Sequence, residues 1–313
     1  MLGVLRAAFG QVIARPRLVV AVYVVNVLLA IPLVVAMESV LADSIGDGIY
    51  QESVRATLDG AWYSEHTGRY DTGLGSTFTP SSVLGPGAML DNLDAWLEGK
   101  LVAVDPSVFG MVLLWAFAWL GLQGAVLERF VHGGAAGPSS FAAAALRHLG
   151  RMLQAAAIGL LAYGMLWSLV GDWVKGIDNA SIDVTSEVTM LWRLAPAFVL
   201  LVLGFHLVRL VIDYTKVAAV RERSGFVLPA LVRALSMIAR RPLLAVLGYL
   251  VPGLLIAAWM GVWLLVAPGG ASSSWVSLIL TVALTQLFII GRLVLRLFQL
   301  ATAVQVYGVA ADG

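Results

Sequence analysis

ALVRALSMIARRPLLAVLGYLV, residues 230–251, is the stretch whose reading decides the fold. Leu228, Leu231, Val232, Leu235 and Ile238 recur at helical spacing across its start, and Arg233 and Arg240 fall elsewhere on the wheel. A short helix of this kind lies in the headgroup layer with its apolar face down. Pro242 then disfavours helix in the residue before it, which suits a turn from the interface into a membrane span. The chain begins with a close relative, GVLRAAFGQVIARPRLVVAVYVV at 3–25. Both hold Leu or Val before Arg-Ala, an apolar run with small residues, a basic Arg-Pro step and a long hydrophobic segment. They differ by one residue in the spacing from the first Arg to the Pro. A weaker third relative is FAAAALRHLGRM at 141–152, and Ser139 or Ser140 offers it an N-cap. Each copy predicts an elbow helix leading into a span.

Composition places those spans in a membrane. The 313 residues are 60% hydrophobic and 12% charged, where soluble domains carry about 25% charged residues. Mean hydropathy is +0.89. Membrane helices need about 20 mostly apolar residues, and segments 18–37, 108–127, 153–170, 194–212, 243–266 and 276–297 qualify. Pro32, Pro196 and Pro252 fall within or near them and are tolerated there. Net charge is +1, so no nucleic-acid partner is expected. With no cysteine, disulfides, thiol chemistry and Cys-based metal sites are excluded. Val40-Leu41-Ala42 offers a small-residue cleavage site, but the first span is long for a signal core and the repeat needs it, so it is expected to be retained.

The basic residues set an orientation. Arg6, Arg15 and Arg17 precede the first span, and Arg129, Arg147 and Arg151 lie between the second and third. Arg209, Lys216, Arg221, Arg223, Arg233, Arg240 and Arg241 cluster between the fourth and fifth. The opposite connections are poor in base, and the longest, 38–105, carries three bases against eleven acids. Both termini are therefore predicted to be cytoplasmic, with 38–107 an extracytoplasmic insert. Trp167, Trp173, Trp192, Trp259, Trp263 and Trp275 near the outer span ends fit an interfacial belt.

The even spans repeat as well. LVRLVIDYTKVAAV at 207–220 aligns with LVLRLFQLATAVQV at 293–306 after a one-residue shift, and both are predicted to stay helical past the membrane surface. The expected architecture is a single all-α membrane domain with six transmembrane helices. It comprises three approximate repeats, 1–133, 134–223 and 224–313, each an elbow helix plus a helical hairpin, with the first outer loop expanded. The segment DYTKVAAVRERSGFVLPALVRALSMIARRP, residues 213–242, carries a resemblance. It has an Asp-Tyr at the end of an even span and then a basic elbow. It is similar to a loose group of bacterial six-span membrane proteins, among them the membrane region attached to some glycerophosphodiester phosphodiesterases. That resemblance implies a helical fold in a bacterial cytoplasmic (inner) membrane and no reaction.

Chemical motifs are scarce. The run 133–139 lacks the lysine that a phosphate-binding P-loop needs, and His132-Gly133-Gly134 has no nucleophile turn to serve. Glu65-His66 with Asp71 has ligand chemistry but one histidine, and the loop centre, YSEHTGRYDTGLGSTFTPSS, predicts an irregular solvated segment. Ionisable groups on spans are the functional candidates. These are His206, Arg209 and Asp213 on the fourth span and Arg292 and Arg296 on the sixth. Asp213 is expected to pair with Arg209, four residues earlier, or across helices with Arg296. Asn26, Gln123 and Gln286 lie deeper and are expected to join helices by hydrogen bonds. In the outer insert, Leu90, Leu93, Leu97 and Leu101 repeat at helical spacing beside Trp96, so Leu90, Leu93, Trp96 and Leu97 are a candidate partner-binding face.

The resulting expectation is a non-catalytic membrane subunit or scaffold, with no cofactor, catalytic residue or metal. It would dock membrane-protein partners through its outer loop and elbows, within membrane lipids. A transporter or channel for a small solute or lipid is the alternative. It needs a polar midplane site, and Pro252-Gly253 is the one interruption of that kind. A lipid-acting enzyme would have to use Glu65, His66 and Asp71.

Overall fold

The computed structural model describes residues 1–46, 60–69, 106–133, 137–179, 186–223, 225–267 and 274–311. Among them the elements are helices without a strand: α1 Leu2–Ile13, α2 Pro16–Ile45, α3 Gly60–Arg69, α4 Pro106–His132, α5 Pro138–Asn179, α6 Glu187–Arg221, α7 Val227–Arg240, α8 Pro242–Val266 and α9 Trp275–Ala311. Six of these, α2, α4, α5, α6, α8 and α9, are long and apolar enough to cross a membrane. The protein is an all-α, multi-pass membrane protein.

Prolines start four helices, α2, α4, α5 and α8. At the first helical position a missing N–H costs nothing and the fixed φ suits the helix. The residue before the proline leaves the helix in the same way at both elbows. Arg15 sits at φ −127°, ψ 57° and Arg241 at φ −134°, ψ 60°. Two such similar breaks, one between α1 and α2 and one between α7 and α8, follow from the Arg-Pro step that the two stretches share. Pro32, Pro196 and Pro252 lie inside α2, α6 and α8.

The middle copy differs. Residues 141–152 are not a separate helix but the opening turns of α5, which runs unbroken for 42 residues. No proline stands between the basic amphipathic segment and the span. Gly150 alone costs a helix only about 1 kcal/mol and does not stop it. The second and fourth spans are each followed by a residue at positive φ, Gly133 after α4 at 69° and Arg223 after α6 at 50°, as is common just past a helix.

The connection after the first span also departs from expectation. Helix α2 continues to Ile45, and residues Tyr63 to Arg69, predicted to be irregular and solvated, are helical in α3. Trp62 and His66, one turn apart, are both 1% exposed, with rings 5.1 Å apart. Ser44 Oγ on α2 lies 2.7 Å from His66 Nδ1, and Arg69 pairs with Asp43 at 3.1 Å. Two large rings at i,i+4 give this polar stretch something to bury, and its Gly/Ser/Thr content does not reveal that.

The chain divides into two compact units. One comprises Met1–Ile13, Leu120–Val251 and Phe298–Gly313, and the other Ala14–Trp119 and Pro252–Leu297. The first unit is built on the C-terminal parts of α4, α6 and α9. Residues 121–127, 212–220 and 298–304 are buried on every side, polar side chains among them. Helix α5 packs on α6 as a hairpin, and α7 lies against both. Its inner face is Val227, Ala230, Ala234 and Met237. Leu228, Val232 and Leu235 point outward, with Leu228 64% and Val232 66% exposed. Helix α1 follows the same rule, burying Ala8 and Val12 and exposing Leu2, Phe9 and Ile13. Phe9 still meets Phe298 edge-on at 5.7 Å.

In the second unit hydrogen bonds join the helices. Tyr23 donates to Gln286 Oε1 at 2.7 Å and Trp115 Nε1 to Asn26 Oδ1 at 3.3 Å. Trp259 donates to the Phe288 carbonyl at 3.1 Å and Trp263 stacks on the Phe288 ring at 4.5 Å. Those two tryptophans therefore pack, whereas Trp173, Trp192 and Trp275 are exposed near helix ends.

Candidate functional site

The most polar site in the core of the first unit is centred on Asp213. Helix α6 carries Asp213 and Lys216 one turn apart, 1% and 7% exposed. Lys216 Nζ lies 3.5 Å from Asp213 Oδ1 and donates to Gln123 Oε1 on α4 at 2.8 Å. Tyr249 on α8 donates to Asp213 Oδ2 at 3.0 Å. Beside it, Tyr214 donates to the Ala245 carbonyl at 3.0 Å. Removing two charges from water costs several kcal/mol per ion, and good geometry with added hydrogen bonds offsets it. Here the ammonium, the carboxylate, an amide and a phenol satisfy one another. The result is a clamp tying α4, α6 and α8.

A second cluster joins α4 to α5. Arg151 Nη1 lies 3.1 Å from His148 Nδ1, and His148 Nε2 lies 2.8 Å from Glu128 Oε2. A guanidinium only donates, so Nδ1 accepts, and Nε2 carries the hydrogen and donates it to the carboxylate. Arg147 at 3.5 Å and His132 at 3.8 Å complete the shell of Glu128. Gly124 makes this crossing possible: a Cβ there would stand 2.6 Å from His148 Cβ.

A third cluster holds α7. Glu222, just past α6, pairs with Arg233 and accepts from the Tyr307 hydroxyl on α9 at 2.8 Å. Arg241 donates to the Val309 carbonyl at 3.3 Å, Arg151 to the Arg223 carbonyl at 3.3 Å, and Gln154 Oε1 accepts from Val227 N–H at 3.1 Å. Arg233 and Arg241, expected to face headgroups, thus also make bonds inside the protein.

The predicted candidates separate. Asp213 is in the core. Its expected ion pair with Arg209 gives way to one with Lys216, because Arg209 is exposed where α6 is not yet enclosed. His206 is exposed too, and its Nδ1 lies 2.8 Å from its own helix's Val202 carbonyl. In the second unit Arg292 is exposed and Arg296 half-buried. Gln123, Asn26 and Gln286 all make the interhelical bonds expected of them. Leu90, Leu93, Trp96 and Leu97 lie outside the described residues, as does Asp71. Among the described residues no three His, Cys, Asp or Glu side chains come together as a metal set.

Sequence reading missed Lys216 and Tyr249 as partners of Asp213. The signal was Val217-Ala218-Ala219-Val220 directly after Lys216: small residues let helices approach closely, so a charge beside them faces protein. No family model matches the chain, and no curated protein or solved structure matches it either.

Proposed function

We propose that this protein is a non-catalytic integral subunit or scaffold of a bacterial cytoplasmic membrane. In this reading both termini and the elbows α1 and α7 lie on the cytoplasmic side, and 38–107 lies outside. The outward stripe of Leu228, Val232 and Leu235 rests in the headgroup layer. Membrane lipids and other membrane-protein subunits are its partners.

The observation that carries the reading is the placement of charge on the spans. Asp213 and Lys216 are consumed by a closed clamp. His206 and Arg209, three residues apart on α6, are exposed on the outside of a span. Ionisable groups within membrane segments nearly always face protein or water. An outward His-Arg pair is therefore a place for a second membrane chain to dock. A transporter is less well supported, since its binding sites are built on discontinuous helices, and Pro252 and Gly253 lie inside the continuous α8.

Purification in mild detergent tests this. A stoichiometric membrane partner should accompany the intact protein and be depleted by His206→Leu/Arg209→Leu. Replacing 70–100 with a short Gly/Ser linker should leave the protein inserted and remove any partner held by the outer face. Shortening a loop changes closure entropy by only about 0.6 kcal/mol per halving. A clean monomer from native membranes, with the same yield for every variant, would count against the scaffold reading.

A further inference from the structure

We propose that α7 selects anionic lipid: Leu228, Val232 and Leu235 enter the bilayer surface, and Arg233 and Arg240 beside them take the phosphates of acidic headgroups. This rests on the reading of α7 as an interfacial elbow and adds the class of lipid it takes. The chain itself ties α7 to the bilayer. The helix ends at Arg240, and α8, long and apolar enough to cross a membrane, starts at Pro242. One residue, Arg241, separates them.

The helix is turned the wrong way for a protein core alone. A surface helix normally points its apolar stripe at the protein. Here Ala230 and Ala234 face in, with Val227 and Met237. Leu228, Val232 and Leu235 face out, 64%, 66% and 46% exposed. A second apolar medium must cover them, and for a helix one residue from a span that medium is lipid.

A neutral bilayer would satisfy that stripe, so charge decides the headgroup. Arg233 and Arg240 are two turns apart and share a second stripe along one edge of the apolar one. Arg240 is exposed. The Arg233 side chain is 53% exposed, and its Nη1 pairs with Glu222. A guanidinium has five N–H donors, so that pair does not use up its outer edge. Between Glu222 and Asp312 the sequence has no acidic residue. The segment from α7 through α9 therefore brings cations to the surface and no carboxylate against them. A planar guanidinium matches two phosphate oxygens at once. Arg241 is left out of the headgroup set because it donates to the Val309 carbonyl.

The test uses the full chain in nanodiscs of equal phosphatidylcholine and phosphatidylglycerol, one lipid or the other brominated near its headgroup end. The chain has no cysteine, so Val232→Cys carries a single fluorescent label on the outward stripe. Leu247→Cys, 42% exposed on α8, is the control and should be quenched whichever lipid is brominated. The label at 232 should be quenched more strongly by brominated phosphatidylglycerol. Each arginine near an anionic surface is worth about fivefold in local enrichment. Arg240→Gln should lower the preference by about that factor, and Arg240→Lys should keep it. Equal quenching at 232 by the two lipids, or a preference untouched by Arg240→Gln, would overturn the proposal. No quenching at 232 with normal quenching at 247 would assign the stripe to a protein surface, overturning the lipid proposal while leaving the subunit reading in place. No quenching at either position would overturn the membrane placement with it.

Discussion

Lys216→Met should destabilise the first unit by about 3–5 kcal/mol, the usual cost of removing one member of a buried ion pair. Methionine matches the lysine stem, so little volume is lost and the penalty is electrostatic. Asp213, 1% exposed, would keep its charge without the ammonium 3.5 Å away. Gln123 Oε1 would lose the donor now at 2.8 Å. The paired change Asp213→Asn with Lys216→Met removes both charges and leaves Tyr249 a partner. It should cost only about 1–2 kcal/mol, because a buried pair is often replaceable by neutral groups of similar size. Unfolding in mixed micelles with increasing dodecyl sulfate measures both. A double variant whose loss equals the sum of the two single losses would show that the groups are not coupled.

Gly124→Ala should destabilise the α4–α5 crossing by about 1–3 kcal/mol, the range for overpacking a tight interface. Alanine normally improves a helix over glycine by about 1 kcal/mol, so the sign must come from the surroundings. The new Cβ would stand 2.6 Å from His148 Cβ and 3.5 Å from Met152 Cγ. A Cβ cannot swing away as a side-chain tip can; relief requires α4 and α5 to separate. Separation would strain the bond from His148 to Glu128 at 2.8 Å. Gly150→Ala, in the same helix as His148, is the control. Nothing lies within 4 Å of its added Cβ, so it should stabilise by up to about 1 kcal/mol. The same detergent-unfolding assay reads both, and two shifts of one sign would refute the packing argument.

The six spans were legible because a membrane leaves a simple mark: a run of about 20 apolar residues. The breaks after α1 and α7 were legible for a local reason, the Arg-Pro steps at Arg15-Pro16 and Arg241-Pro242. The basic amphipathic pattern alone was not enough. Residues 141–152 share it, and without a proline they run straight into α5. Asp213 was also legible as a candidate, but Lys216 and Tyr249 as its partners were not. Arg209 and Lys216 are seven residues apart and share a stripe of α6. They differ along the axis: at Lys216 the helix is enclosed by neighbours, and at Arg209 that stripe is open. A helical wheel carries no information about that direction. The Trp62–His66 pair was missed because turn-forming composition speaks to backbone preference and not to what a buried ring gains.

Cysteine accessibility in intact cells tests the placement of the whole molecule most directly. The chain has no cysteine, so single substitutions have no background. Ser76→Cys lies in the 38–107 connection and Ser224→Cys between α6 and α7. With both termini and the elbows cytoplasmic, Ser76→Cys should react with an impermeant maleimide in intact cells, and Ser224→Cys only after lysis. The reverse labelling would invert the topology and place the elbows on the outer surface, contradicting the account.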